Sequence, residues 1–193
     1  MSRPTITTRP LNVTETGHYL ELLYDDGAND GVCCCAAHGG RVEPGTAELA
    51  LELATSVQHA TCWACLGYDA EGSAFDRWHP PSSAFAPEAY PLLERIADRG
   101  FETVLSLHGL ADDAVIVGGR AEDAVKRTVR DELEAVLSVP VKTADGGPYG
   151  GVSPDNFVNW LARDAGGLQL ELGPTARTAE AAAVREVLAA WVE

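Results

Sequence analysis

Apolar positions along this chain follow two rhythms. Short continuous apolar runs at 32–37 and 61–68 predict strands buried on both faces. Residues 102–107, 114–118, 139–142 and 168–172 read as further strands, and 18–24 fits either an early strand or a short helix. Between them, apolar residues recur at helical spacing over 46–58, 88–98, 120–137, 154–164 and 178–192. Thr46 suits the N-cap of the first helix, Gly100 closes the second, and 120–137 is long and amphipathic. Strands alternating with helices predict an α/β fold with a mostly parallel sheet. A length of 193 residues, with no internal repeat or low-complexity linker, suits a single domain over 1–193.

In such sheets chemistry sits off the carboxyl ends of the strands. The first buried run leads into Ala37-His38-Gly39-Gly40-Arg41-Val42-Glu43-Pro44-Gly45-Thr46. A later strand ends in Ser106-Leu107-His108-Gly109. Two histidines and one carboxylate at one sheet edge match a catalytic zinc set, whose open position admits water. Glu171 alternates with leucines in Leu168-Gln169-Leu170-Glu171-Leu172. It is either a general base for that water or a strand residue facing solvent between inward leucines.

The cysteines read differently. Cys62 and Cys65 share a Cys-x-x-Cys spacing, but residues three apart on a strand face opposite sides. Cys33, Cys34 and Cys35 lie inside the first buried run, as small apolar filler. An odd number of cysteines with no apolar leader at the N-terminus fits reduced thiols and a cytoplasmic location. No apolar run is long enough to span a membrane.

Charge narrows the partners. Asp and Glu number 29 against 14 Lys and Arg, a net of −15, which argues against nucleic acid. Lys126 and Lys142 are the lysines and the remaining basic residues are arginines. This acidic, lysine-poor composition fits a halophilic, salt-accumulating source, or a modestly acidic protein from a GC-rich genome.

Six segments occur in the order of a known family. They are residues 37–50 (Ala-His-Gly-Gly-x-x-Glu-Pro-Gly-Thr-x-Glu-Leu-Ala), 79–87 (His-Pro-Pro-Ser-Ser-Ala-Phe-Ala-Pro) and 106–109 (Ser-Leu-His-Gly), then 117–119 (Val-Gly-Gly), 154–159 (Pro-Asp-Asn-Phe-Val-Asn) and 167–172 (Gly-Leu-Gln-Leu-Glu-Leu). Together they resemble the poly-γ-glutamate hydrolase family, which includes phage enzymes. The resemblance implies a zinc carboxypeptidase-like fold, a mixed sheet flanked by helices. It implies Zn2+ held by His38, Glu43 and His108, with Glu171 as general base. The Gly39-Gly40 turn would let Glu43 swing back toward His38. Arg41, Arg120 and Arg177 are candidates to face an oxyanion or a substrate carboxylate, Arg177 equally a brace for the last strand. His79 with Ser82 would line the substrate groove, Glu48 would support the metal loop, and Asn156 and Asn159 would fix a turn or pack.

The activity implied is hydrolysis of γ-glutamyl amide bonds in a polymer or peptide. A polyanionic substrate and a −15 protein repel each other unless the metal, nearby arginines or high salt offset the field. A zinc amidase or deacylase on a small N-acyl compound is the alternative. A non-catalytic phage-associated protein keeping the fold is a third, and a zinc thiol site at Cys62 and Cys65 a fourth.

Overall fold

The apolar runs form the centre of one sheet. A computed structural model describes residues 3–27, 30–144, 146–164 and 166–193. Its strands are β1 (Thr5–Val13), β2 (Gly17–Asp25), β3 (Val32–Gly40), β4 (Ala60–Asp69), β5 (Thr103–Gly109), β6 (Val115–Gly119), β7 (Val141–Thr143) and β8 (Leu168–Leu172). They lie in the order β1-β2-β4-β3-β5-β8-β6-β7. The pairings β4–β3, β3–β5, β5–β8 and β6–β7 are parallel; β1–β2, β2–β4 and β8–β6 are antiparallel. The fold is thus α/β with a mixed sheet that is parallel at its centre. The carboxyl ends of β3, β5 and β8 share one edge, where His38, His108 and Glu171 stand.

Helices cover both faces. One face of the sheet packs on α1 (Thr46–Ser56), α4 (Asp123–Val136) and α6 (Ala181–Val192) through Leu49, Leu53, Val129, Leu133, Val184 and Leu188. The other carries short α2 (Ala74–Trp78), α3 (Pro91–Glu94) and α5 (Phe157–Trp160), around Trp63, Phe85 and Phe157. Strand alternation sends Cys34 and Cys62 to the first core and Cys33, Cys35 and Cys65 to the second. Cys62 and Cys65 therefore sit on opposite faces. Among the described residues no helix is long and apolar enough to cross a membrane.

Several local expectations change. Residues 18–24 are strand, within β2. The helix expected over 88–98 is only the 3-10 turn Pro87–Ala89 followed by α3. Proline lacks the N–H a continuing helix needs, so the helix starts at Pro91 instead of passing through it. The helix expected over 154–164 shrinks to α5, capped by Asn156, whose side chain accepts from Val158 N. Gly45, not Thr46, occupies the N-cap of α1, with φ 95°. Thr46 donates its hydroxyl back to Glu43 O at 2.8 Å.

Candidate active site

The loop between β3 and α1 brings the first two candidate ligands together. Gly39 and Gly40 belong to β3, where the register against β4 shifts, and the turn itself comes at residues 41–45. Glu43 N donates to His38 O at 2.7 Å, which closes the turn and aims the carboxylate back at the imidazole. Arg177 holds this loop from outside, donating to Pro44 O at 2.8 Å and Leu110 O at 3.5 Å. A side chain at Gly45 would meet Arg177 O at 2.6 Å, so the tight turn depends on glycine.

His108 arrives from β5, a neighbour of β3 in the sheet. His38 Nδ1 and His108 Nδ1 lie 3.2 Å apart. Glu43 approaches both, with Oε1 3.3 Å from His38 Nδ1 and Oε2 3.7 Å from His108 Nδ1. One ligand atom from each of the three falls within 4.8 Å of the others. The far ring nitrogens are engaged: His38 Nε2 meets Pro80 O at 2.7 Å, and His108 Nε2 meets Ser106 Oγ at 2.9 Å. A carbonyl only accepts, so His38 carries its proton on Nε2. Burial pulls His108 down to about 4, so it is neutral at pH 7. In the tautomer whose Nε2–H faces Ser106 Oγ, its Nδ1 is bare and free to hold an ion. Two inward nitrogens at 3.2 Å repel unless something positive lies among them and the carboxylate. This donor set, two imidazoles and one carboxylate with outer partners fixing the rings, fits a metal ion.

Glu43 is held as an anion. Burial alone would raise its carboxyl, but the His38 and His79 imidazoles beside it hold it well below the usual range. Gly109 N donates to its Oε2 at 2.8 Å. His79 Nε2 lies 3.0 Å from its Oε1, and the His79 ring stacks on Phe75 with centroids 4.1 Å apart.

Glu171 stands in register with His108 across the β5–β8 pairing. Burial, then the charge of Glu43, pushes its carboxyl up to about 7. Gln169 donates to its Oε1 at 2.8 Å. A carboxyl poised there exchanges protons at neutral pH. All four buried side chains open into a cleft of about 650 Å³, lined also by His79, Ser82, Ser83, Tyr149, Asn156 and Gln169.

The structure thus gathers His38, Glu43, His108, Glu171, His79 and Ser82. Arg177 braces the loops behind the cleft and does not line it. Arg120 stands elsewhere: β6 runs antiparallel to β8, and Gly119 pairs with Leu168, so the following arginine leaves at the other end of β8 from Glu171. Arg41 and Glu48 are exposed and do not line the cleft. Asn159 fixes a turn, donating to Gly151 O and Ser153 O at 2.8 and 2.7 Å. Ser106 and Gln169 were not anticipated. Each lies two residues before a chemical residue on the same strand, and that same-face spacing was the available signal.

The model of the Poly-gamma-glutamate hydrolase family matches residues 11–182. No curated protein sequence matches the chain. Among solved structures, a bacteriophage poly-gamma-glutamate hydrolase is similar at 19% identity and a TM-score of 0.73, over 93% of this chain and 90% of the other. The zinc-free apo form of YNDL is similar at 23% identity and a TM-score of 0.72, over 90% and 89%. A metallo-carboxypeptidase from Burkholderia cenocepacia is similar at 13% identity and a TM-score of 0.55, over 98% and 65%. These likenesses show a fold shared with zinc carboxypeptidase-like proteins. By the extent of the family match, the chain belongs to the poly-γ-glutamate hydrolase family, and is a metal-dependent hydrolase by that membership and its His-Glu-His cluster.

Proposed function

We propose that residues 1–193 form one catalytic unit that hydrolyses γ-glutamyl amide bonds, in poly-γ-glutamate or related peptides, with zinc as its metal. The observation that carries this reading is the convergence of His38 Nδ1, His108 Nδ1 and the Glu43 carboxylate beside Glu171 in one cleft. His38, Glu43 and His108 hold the ion. Bound zinc would supply Lewis acidity, making water acidic near neutrality and polarising the scissile carbonyl. Glu171 takes the proton of the attacking water and delivers it to the leaving amine. Gln169 and Asn156 keep its carboxylate oriented. His79 and Ser82 line the wall along which substrate lies. Arg177 acts through the loops it braces, and Arg120 takes no part.

A small N-acyl amide is the second reading, favoured by a cleft lining without Arg or Lys among the described residues. Chain length separates the two. Zinc-loaded protein should release new amines from γ-glutamyl oligomers faster as they lengthen, and chelation should abolish this. Turnover confined to short N-acyl compounds would replace the first reading with the second.

A further inference from the structure

A second cavity, of about 310 Å³, opens between α4 and β7 and is lined by Asp123, Arg127, Arg130, Thr143 and Ala144. Arg127 and Arg130 are three apart on α4, so they share a face of that helix. Thr143 Oγ1 is buried and has no hydrogen-bond partner among the described residues. A buried hydroxyl without a partner, beside two guanidinium groups, marks a place for an anion.

Charge points the same way. The chain has a net of −15, yet residues 120–142 hold both of its lysines and balance acidic with basic side chains. Two of those acids are already engaged: Asp123 with Lys126 at 2.9 Å, and Asp131 with Arg130 Nε at 2.5 Å. Glu122, Glu132 and Glu134 are exposed. Arg127 and Lys142 are exposed too and, among the described residues, form no ion pair. A guanidinium fork matches the plane of a carboxylate.

The cavity also adjoins the cleft. Thr143 pairs with Val117 on β6, and Ala144 N donates to Val117 O at 2.9 Å. Gly119 N donates to Gly150 O at 2.8 Å, and the preceding Tyr149 lines the cleft. Both ends of this segment are thus tied to β6 at residues about 7 Å apart along a strand. β7 is the edge of the sheet, so an extended chain leaving the cleft past Tyr149 reaches Arg127 by rounding that edge.

We propose that the cavity of Arg127, Arg130 and Thr143 is an anion subsite outside the cleft, which receives free α-carboxylates of a γ-glutamyl chain. This rests on the γ-glutamyl reading for the identity of the chain. The two arginines pair with a carboxylate and the Thr143 hydroxyl donates to it. The subsite offsets the acidic surface where the polymer leaves the cleft, so long chains gain affinity that a dipeptide cannot.

Calorimetry on the chelator-treated full chain tests the subsite without requiring turnover, with a γ-glutamyl decamer and inorganic phosphate as probes. Arg127→Gln/Arg130→Gln should weaken decamer binding at least about tenfold, a difference of about 1.4 kcal/mol. Thr143→Val should weaken it by roughly three- to tenfold. Both arginines reach solvent, so the variants should fold. Arg127→Lys/Arg130→Lys, which keeps the charge, should restore most of the loss. Three results overturn the proposal: no decamer binding to wild type, equal binding to the glutamine variant, or inorganic phosphate binding these residues more tightly than the decamer. Zinc-loaded wild type offered the decamer tests the underlying reading separately. No cleavage, with arginine-dependent binding intact, would remove the γ-glutamyl activity and leave the anion subsite standing.

Discussion

Gln169 donates its side-chain N–H to Glu171 Oε1 at 2.8 Å while its own carbonyl accepts from Asn156 at 2.9 Å. The chain of amides is directional and ends on the carboxylate. It favours the charged form of Glu171, against burial and the charge of Glu43. Removing the donor should therefore push the Glu171 carboxyl further up. Gln169→Leu is expected to move the acid limb of kcat/KM upward, by roughly one pH unit, with the rate recovering at higher pH. A uniform loss at every pH would mean that Gln169 only packs.

Glu171 also makes a prediction about folding. Its folded value of about 7 lies above its ordinary 4.5. The folded state therefore holds the proton more tightly than the unfolded chain. That contribution to stability is complete below about 4.5 and is lost as pH rises through about 7. In chelated protein, Glu171→Gln should remove this slope, so the variant gains on wild type by on the order of 2–3 kcal/mol between the two limits. Urea midpoints across that range check it; parallel curves would contradict it.

Glu21 is fully buried on β2 and accepts from Trp63 Nε1 at 2.9 Å and from the amides of Leu92 and Leu93 at 3.0–3.1 Å. It thereby holds the start of α3 and the aromatic cluster around Trp63. Glu21→Ala would leave these buried N–H groups unpaired and open a cavity. The expected loss is about 3–5 kcal/mol, read from denaturant unfolding. A loss below about 1 kcal/mol would show that water replaces the carboxylate.

Much of the site was legible because strand ends are where a parallel sheet presents its chemistry. His38 and His108 each precede a glycine at the end of an apolar run, and Glu43 follows a turn-forming stretch. Hidden features depend on distant partners. β1 lies at the sheet edge and is exposed along most of its length, with Ile6, Leu11 and Val13 scattered among polar residues, so it carries no alternating signal. Arg120 was misplaced because the direction of β6 is set by pairing with β8, which no local pattern records. Phe75 and Tyr149 share a cleft only because a short helix and a distant loop meet there.

Gly45 tests the loop that carries Glu43. Its φ is 95°, and an added Cβ would lie 2.6 Å from Arg177 O. Gly45→Ala should cost about 2–4 kcal/mol, since the conformation and the contact both oppose it. Weaker metal retention should accompany the drop in thermal midpoint, because Glu43 moves with the turn. A variant as stable as wild type would show that the turn relaxes freely.

Metal content of the purified chain tests the central claim most directly. Wild type and Cys62→Ser/Cys65→Ser should each retain about one zinc per chain, and His38→Ala/His108→Ala should retain none. Zinc kept by the histidine variant and lost from the cysteine variant would contradict this account of the site. So would the absence of metal from all three after zinc is supplied.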